Sequence, residues 1–277
     1  GYMYGAYKRL TTRYEGVLTG KGLTYGGSLA RTEATGYGTV YFTDAMLKDR
    51  GDSLKGKKCA VSGSGNVAIY CCEKLIQLGA TPVTVSDSNG TIYDPNGIKV
   101  DVLKQVKEVE RARLTRYAEL VPTAQYTPVD KYPAGKHQVW TYNVDCAFPC
   151  ATQNELNEED AKTLLANGCK VVAEGANMPS TLGAIDQFLK AKIAYGPAKA
   201  ANAGGVATSQ LEMEQNAGMT AWTFEEVDQK LHTIMTNLYK NVADTAREFG
   251  VEGNLVLGAN IAGFRKVADA MIAQGVI

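Results

Sequence analysis

The sequence has few residues of the kinds that build metal centres, and it has no long apolar run. Only two histidines occur among its 277 residues, His137 and His232, and they lie far apart in polar surroundings. The six cysteines follow no zinc-binding spacing. We therefore expect no bound metal and no histidine-based triad. No apolar run approaches the roughly 20 residues that span a bilayer, and the N-terminal stretch lacks an apolar signal core, so no membrane association is expected.

The sequence also has no excess of positive or of negative charge. Lysine plus arginine equals aspartate plus glutamate, 29 of each, so nothing in the balance favours nucleic acid as a partner. The cysteines sit mostly in apolar stretches, which predicts buried free thiols and a reducing, cytoplasmic compartment. Apolar residues make up 45% of the chain, enough for a sizeable core.

Apolar runs of strand length alternate with stretches of helical spacing through most of the chain. The predicted strands are 57–63, 81–87, 143–149, 170–175 and 192–197. The predicted helices are 33–49, before the first strand, and 66–79, 98–113, 158–167 and 181–190, between the strands. Strands separated by helices favour right-handed crossovers and a parallel sheet covered on both faces. The fold class is therefore α/β, a doubly wound Rossmann-type parallel sheet, with extra C-terminal helices predicted at 224–250 and 259–275.

The stretch "SGSGNVA" (62–68) lies between the first predicted strand and its helix. Its Gly63-x-Gly65-x-x-Ala68 pattern is typical of a dinucleotide-binding turn. The first glycine permits the tight turn, the second lets phosphate oxygens approach the backbone, and the alanine allows close helix packing. Asp87 ends the next strand, where a carboxylate can hold ribose hydroxyls. The alternative is a structural turn without a ligand.

The choice between the two nicotinamide cofactors remains open at this point. Asp87 by itself favours NAD, because its carboxylate would repel a 2′-phosphate. Ser86 and Ser88 could donate hydrogen bonds to such a phosphate, and Lys104 or another basic residue of the following helix could supply charge. The two serines could equally serve only to form the turn around "SDSNG".

Five ordered stretches together resemble a known enzyme family. They are "GLTYGGSLARTEATGYG" (22–38), "SGSGNVA" (62–68), "CATQNEL" (150–156), "AEGANMPST" (173–181) and "KAANAGGVATSQLEMEQN" (199–216). They resemble the cofactor-binding, C-terminal part of the hexameric, small-subunit, NADP-dependent glutamate dehydrogenases. Thr32, where the family often has proline, is a small departure. The resemblance favours NADP over NAD.

The resemblance implies roles for individual residues. It places cofactor contacts at Arg31, Thr35, Ser62, Gly63, Gly65, Asn66, Val67, Ser86, Asp87, Ser88, Ala151, Thr152, Asn177 and Asn202. It places substrate contacts at Val206 and Ser209. Asn177 would pair with the nicotinamide carboxamide, and Ser209 would donate to the distal carboxylate of the substrate. Without the resemblance, Asn177 and Asn202 could be turn residues, Thr35 an ordinary helix residue, and Ser209 a serine bonded to its own helix.

The implied activity is the reversible oxidative deamination of L-glutamate to 2-oxoglutarate and ammonia with NADP(H). The family's proton-transfer lysine and aspartate are expected upstream of Gly1, so no catalytic residue is expected in this chain, and Lys21 is interpreted as a solvated or linking residue. The expected regions are 1–25, the tail of the substrate domain and linker; 26–250, the dinucleotide-binding domain; and 251–277, a helix bracing the substrate domain.

Two alternatives remain. The chain could be a nucleotide-binding module without turnover, or it could belong to a related dehydrogenase of the leucine or phenylalanine type, against which Ser209 argues. The resemblance implies a homohexameric parent protein. The isolated chain is expected to be monomeric or weakly associated, with an exposed apolar patch.

Overall fold

Five short strands form the parallel sheet that the alternating pattern predicts. The computed structural model describes residues 1–275. Its strands are β1 Lys58–Val61, β2 Thr81–Pro82, β3 Thr84–Asp87, β4 Gly90–Tyr93, β5 Gln125–Pro128, β6 Cys146–Phe148, β7 Val171–Ala173 and β8 Ala194–Gly196. The parallel sheet has the order β2-β1-β6-β7-β8, with Cys59 opposite Cys146 and Val172 opposite Tyr195. The doubly wound α/β class is confirmed.

Helices connect these strands and cover both faces of the sheet. They are α1 Tyr2–Thr11, α2 Ala34–Asp49, α3 Asn66–Gln77, α4 Val100–Lys104, α5 Leu114–Leu120, α6 Glu158–Ala166, α7 Leu182–Lys190, α8 Ala198–Ala201, α9 Gly204–Gly218, α10 Phe224–Glu248 and α11 Leu255–Gln274. Gly79 follows α3 with a φ of 83°, the left-handed conformation expected of a glycine that ends a helix. None of the helices in the described part combines the length and the apolar character needed to cross a membrane.

The segment 81–87 is not the single strand that its apolar pattern predicts. Only β2 pairs with β1, and β3 instead joins β4 and β5 in a separate three-stranded antiparallel sheet. The Thr84 hydroxyl spans the gap, because its Oγ1 accepts from the Val61 N–H at 2.9 Å and donates to the Val61 carbonyl at 3.0 Å. The β3–β4 hairpin turns through Ser88 and Asn89, a two-residue loop that the sequence pattern alone did not predict.

The predicted helix 98–113 is also wrong as a continuous element. It consists of α4, a π-helical turn over Gln105–Val109 and a break before α5. A π turn adds a residue to the helical repeat and so rotates the faces that follow it. Val106 is therefore fully buried, whereas Val109, three residues later, is 69% exposed.

Two glycines allow α2 to pack closely against α3 and α9. A Cβ at Gly36 would lie 2.6 Å from the Cys71 nitrogen of α3, and one at Gly204 would lie 2.0 Å from the Ala34 carbonyl oxygen. Side chains at these positions would force the helices apart. The glycines of "ATGYG" and "NAGG" thus bring α2, α3 and α9 together beside the ends of the strands.

Lys21 is not solvated, contrary to the expectation for it. Its side chain is 2% exposed and its Nζ lies 2.6 Å from Oε1 of Glu212, which is fully buried in α9. The Gly20 N–H donates to the other oxygen of Glu212 at 2.8 Å. The linking role does hold, because this buried ion pair fastens the segment before α2 to α9.

The six cysteines are free and buried, as the apolar context predicts. Burial raises the pKa values of the Cys59, Cys71 and Cys72 thiols and that of Cys169 to about 12. These four thiols are therefore protonated near neutral pH, and the six buried cysteines act as small apolar groups in the core.

Candidate dinucleotide-binding cleft

A long cleft lies at the carboxyl ends of the parallel strands, where ligands bind in open α/β sheets. It has two halves with volumes of about 750 and 680 Å³. The halves share a floor made of Val67, Cys150, Ala151, Thr152 and Gln153. Of the sixteen residues predicted to bind cofactor or substrate, all except Ser62 line this cleft.

The glycine turn forms one wall of the smaller half. Gly63 has a φ of 84°, and a Cβ there would lie 2.8 Å from the Cys150 carbonyl oxygen, so only glycine fits. At Gly65, by contrast, a Cβ would meet nothing within 4 Å and would project into open space. No side chain caps the first turn of α3, so its N–H groups remain available from Asn66 onward. This cradle fits a diphosphate.

Two predicted residues support the turn from behind. The Ser62 hydroxyl is fully buried and accepts a hydrogen bond from the Cys150 N–H at 2.9 Å. The Ser86 hydroxyl accepts from the Gly63 N–H, also at 2.9 Å. These bonds join β1, β3 and the loop after β6, so both serines shape the cleft through the backbone.

Asp87 is engaged by backbone groups on both of its carboxylate oxygens. Oδ1 accepts from the N–H groups of Asn89 at 2.8 Å and Gly90 at 3.2 Å, and Oδ2 accepts from the Leu114 N–H at 3.0 Å. The turn around "SDSNG" that was considered as an alternative is present: Ser88 and Asn89 form its loop, and Asp87 holds it through these hydrogen bonds. Its negative charge is offset by three donors before any ligand binds.

Arg113 lies at this end of the cleft and fits the expectation of another basic residue in the predicted helix 98–113, although it was not singled out there. Its guanidinium donates to the exposed Ser88 hydroxyl at 2.9 Å. Lys104, which was suggested as the source of positive charge, is instead ion-paired with Glu73. The basic run "RARLTR" before and within α5 could have indicated this cation, but its position depends on the π turn that precedes it.

The larger half of the cleft collects the remaining predicted residues. Thr35 and Arg31 face it from the start of α2, and a Cβ at Gly205 would lie 2.6 Å from the Thr35 hydroxyl. Arg31 forms no ion pair with any of the described residues, and its Nε is buried without a hydrogen-bond partner among them. An unpaired guanidinium of this kind is suited to an anionic ligand.

Asn177 and Asn202 lie against each other across this half. Asn202 Nδ2 donates to Asn177 Oδ1 at 3.0 Å and to the Ala176 carbonyl at 3.2 Å. The Asn177 amino group has no partner among residues 1–275 and is free to donate to a ligand. This hydrogen bond fixes the orientation of the Asn177 amide, which a residue that only forms a turn would not need.

Val206 and Ser209 lie on the first turns of α9. Val206 is 75% exposed at the rim. The Ser209 hydroxyl lines the cleft but donates to the Gly205 carbonyl at 3.0 Å, so the helix-bonded alternative is what the structure shows. To donate to a substrate carboxylate, the hydroxyl would have to rotate away from that carbonyl.

Two glutamates that sequence reasoning did not single out brace the walls. Glu174 is 2% exposed and accepts from the Ala198 N–H at 2.7 Å and the Ser180 N–H at 3.2 Å, which ties together the two loops that carry the asparagine pair. Glu155 accepts from the N–H groups of Ala151 and Thr152 in the shared floor. Burial raises the pKa of both carboxyls, that of Glu155 to about 7.

Among the described residues, no group of three or more potential metal ligands occurs.

The sequence profile of the Glutamate/Leucine/Phenylalanine/Valine dehydrogenase family matches residues 26–275. The chain belongs to this family. It is 64% identical over 276 residues to the NADP-specific glutamate dehydrogenase of Helicobacter pylori and 56% identical over 279 residues to the NAD(P)-specific enzyme of Xylanibacter ruminicola. Both comparisons cover the whole of this chain, but only 62% and 61% of the relatives.

Solved structures of this dehydrogenase family share the fold. The crystal structure of Plasmodium falciparum glutamate dehydrogenase superimposes with a TM-score of 0.95 at 46% identity, covering all of this chain and 59% of that one. The predicted resemblance to glutamate dehydrogenases is thus confirmed. The chain spans about three-fifths of the length of the relatives it matches.

Proposed function

We propose that this chain is the cofactor-binding part of an NADP(H)-dependent glutamate dehydrogenase, which interconverts L-glutamate with 2-oxoglutarate and ammonia. The observation that carries the proposal is the continuity of the cleft. A diphosphate cradle lies at one end, and an amide pair with an unpaired arginine lies at the other, along a shared floor. The relatives named as NADP-specific support the choice of cofactor.

At the smaller half, the N–H groups of α3 would bind the diphosphate, and the pair Arg113–Ser88 would bind the 2′-phosphate. Both carboxylate oxygens of Asp87 accept hydrogen bonds from three backbone N–H groups, which weakens its repulsion of a 2′-phosphate. The Arg113 guanidinium would donate a charge-assisted hydrogen bond to the 2′-phosphate of NADP. The neutral 2′-hydroxyl of NAD would gain less from the same contact. These contacts favour NADP over NAD.

At the larger half, Asn177 would orient the nicotinamide through its carboxamide, and Ser209 would bind a substrate carboxylate. Arg31 was expected to contact the cofactor; we propose it instead for the same carboxylate, because its guanidinium lies beside Gly205 on α9, one turn before Ser209. NADP(H), when bound, exchanges a hydride with the substrate α-carbon. Arginine and serine suit a dicarboxylate such as glutamate, whereas a leucine or phenylalanine substrate would need an apolar surface there. Val206 at the rim limits the space beside the substrate chain.

The larger half, where the nicotinamide and the substrate would meet, has no lysine, histidine, aspartate or glutamate in its described lining, and those that line the cleft lie in the diphosphate half. We therefore propose that turnover depends on a residue of the full-length enzyme outside this cleft.

Several apolar side chains on α1 and α11 are exposed, among them Tyr2, Met3, Phe264 and Ile272. They support the proposal that this surface is covered in the full-length enzyme. We propose a homohexamer for the full-length enzyme and a monomer for this chain, which light scattering distinguishes. The free thiols fit a cytoplasmic location.

Fluorescence titration of the chain with NADPH tests the proposal, and Gly65→Ala makes the test specific. Gly65 has a φ of −90°, which alanine adopts without strain, and the new Cβ would point into open space. The substitution should leave the free protein unchanged and weaken NADPH binding by roughly tenfold or more, because the methyl group takes the place of phosphate oxygens.

Gly263→Ala is the matched control, since a Cβ there also meets nothing within 4 Å but lies on α11. It should bind NADPH like the wild type. Equal affinity of wild type and Gly65→Ala, or no binding by the wild type at millimolar NADPH, would overturn the proposal. Glutamate turnover near that of a full-length relative would refute the dependence on an external proton-transfer group.

A further inference from the structure

Glu174 is a buried carboxylate behind the larger half of the cleft. It follows β7 directly, is 2% exposed and does not belong to the described lining of either half. Its Oε2 accepts from the Ala198 N–H at 2.7 Å, and its Oε1 accepts from the Ser180 N–H at 3.2 Å. Ala198 begins α8, and Ser180 lies in the loop between β7 and α7. One carboxylate therefore joins two separate segments of the chain.

These two segments carry the asparagine pair. Asn177 lies in the loop of Ser180, and Asn202 follows the last residue of α8. Asn202 Nδ2 donates to Asn177 Oδ1 at 3.0 Å and to the Ala176 carbonyl at 3.2 Å. The contacts thus form a closed ring, which runs from Glu174 along its own loop to Asn177, across to Asn202, and back through α8 to Glu174.

The two sides of this ring are held in different ways. The loop of Asn177 is also fixed from the floor, because the Pro149 carbonyl accepts from the N–H groups of Gly175 at 3.0 Å and Ala176 at 2.9 Å. At the start of α8, the N-cap residue is Pro197, whose side chain cannot accept a hydrogen bond. The carboxylate of Glu174 takes that place, and so it fixes α8 and Asn202 relative to the Asn177 loop.

We propose that Glu174 is a positioning residue for the nicotinamide end of the cofactor, because it holds α8 where Asn202 can orient the Asn177 amide. This inference rests on the proposed function, since it needs a nicotinamide beside Asn177. Glu174 does not touch the ligand and acts through the N–H groups of Ala198 and Ser180. The diphosphate and the 2′-phosphate bind in the other half of the cleft and do not depend on it.

Glu174→Gln is the informative substitution, because it keeps the shape of the side chain. Its amide nitrogen cannot accept a hydrogen bond, so one of the two buried N–H groups loses its acceptor and the two segments separate there. We expect NADPH binding to weaken about two- to tenfold. Binding of 2′-phospho-ADP-ribose, the NADP fragment without nicotinamide, should stay within about twofold of the wild type. Fluorescence titration and calorimetry measure the two affinities.

The double variant Glu174→Gln/Asn177→Ala separates positioning from a general loosening of the cleft. If Glu174 acts through the Asn177 amide, the double variant should bind NADPH within about twofold of Asn177→Ala alone. Asp160→Asn is the matched control. Asp160 is 1% exposed and accepts from the N–H groups of His137 at 2.8 Å and Asn157 at 3.1 Å, at the start of α6. Any effect of this control on binding should be equal for NADPH and the fragment.

Ala198→Pro serves if the glutamine variant does not fold, because it removes the same hydrogen bond from the other side. Pro197 has a φ of −70° and a ψ of 147°, which suits a residue before proline, and the first position of a helix accepts proline. The same selective loss of NADPH affinity is expected. Wild-type affinity of the variant for NADPH, an equal loss for the fragment, or additive losses in the double variant would overturn the inference and leave the proposed function intact. Absence of NADPH binding by the wild type would overturn both.

Discussion

Gly36→Ala is the substitution that most directly tests how the helices position the cleft. The added Cβ would lie 2.6 Å from the Cys71 nitrogen, 2.7 Å from the Val67 carbonyl oxygen and 2.9 Å from the Tyr70 carbonyl carbon. All three are backbone atoms of α3, so no side-chain rotation relieves the contact. Ordinary van der Waals contact begins near 3.4 Å, and α2 and α3 would therefore have to separate by most of an ångström.

We expect this overpacking to cost about 3 kcal/mol, offset by about 1 kcal/mol from the better helix propensity of alanine. The net loss of about 2 kcal/mol corresponds to a fall in the melting temperature of roughly 4–8 °C. Thr35 and Val67 flank the contact and line the cleft, so NADPH binding should weaken as well.

Urea unfolding measures the loss, with Gly263→Ala as the control. That glycine lies inside α11 with open space at its Cβ, so alanine should stabilise the chain by up to about 1 kcal/mol. The same chemical change thus has opposite signs at the two positions. A Gly36→Ala protein with stability within about 0.5 kcal/mol of the wild type would refute the close-packing argument.

Three further substitutions probe other contacts. Glu212→Gln leaves the buried Lys21 charge unpaired and should reduce the free energy of unfolding by about 3–5 kcal/mol. The control Glu214→Gln, on the exposed face of α9, should change it by less than about 0.5 kcal/mol. Equal effects of the two substitutions would contradict the buried ion pair. Arg113→Ala should weaken NADPH binding by about tenfold or more, with an effect on NADH below about twofold, and equal effects on the two cofactors would exclude a 2′-phosphate contact. Asn177→Ala should weaken NADPH binding about two- to tenfold and leave 2′-phospho-ADP-ribose unaffected; a matching loss for that fragment would place the contact elsewhere.

The glycine turn and the parallel sheet were predictable because their determinants are local. Gly63, Gly65 and Ala68 act within one strand–helix unit, and the apolar runs of the other strands are bounded by polar or glycine residues. The errors at 81–87 and 98–113 lie where tertiary contacts decide. Segment 81–87 divides because Thr84 bonds to β1 through its side chain, and the helix at 98–113 is interrupted by a π turn that no spacing rule anticipates.

The cleft residues were found by resemblance to known enzymes more than by their own patterns. Thr35, Asn177 and Ser209 have ordinary local contexts, and they converge because Gly36 and Gly204 bring α2 and α9 together and Glu174 holds the asparagine loops. Glu155 and Glu174 were missed, and Arg113 was not distinguished from the other basic residues of the predicted helix 98–113, for a related reason. Whether a carboxylate is buried or a guanidinium reaches Ser88 depends on neighbours distant in the chain.

A crystal structure of this chain with saturating NADPH tests the central claim most directly. We expect the diphosphate oxygens within hydrogen-bonding distance of the Asn66 and Val67 N–H groups at the start of α3, and the nicotinamide carboxamide on the Asn177 amino group. A glycine turn without bound phosphate, or a dinucleotide lying outside the cleft, would contradict the account.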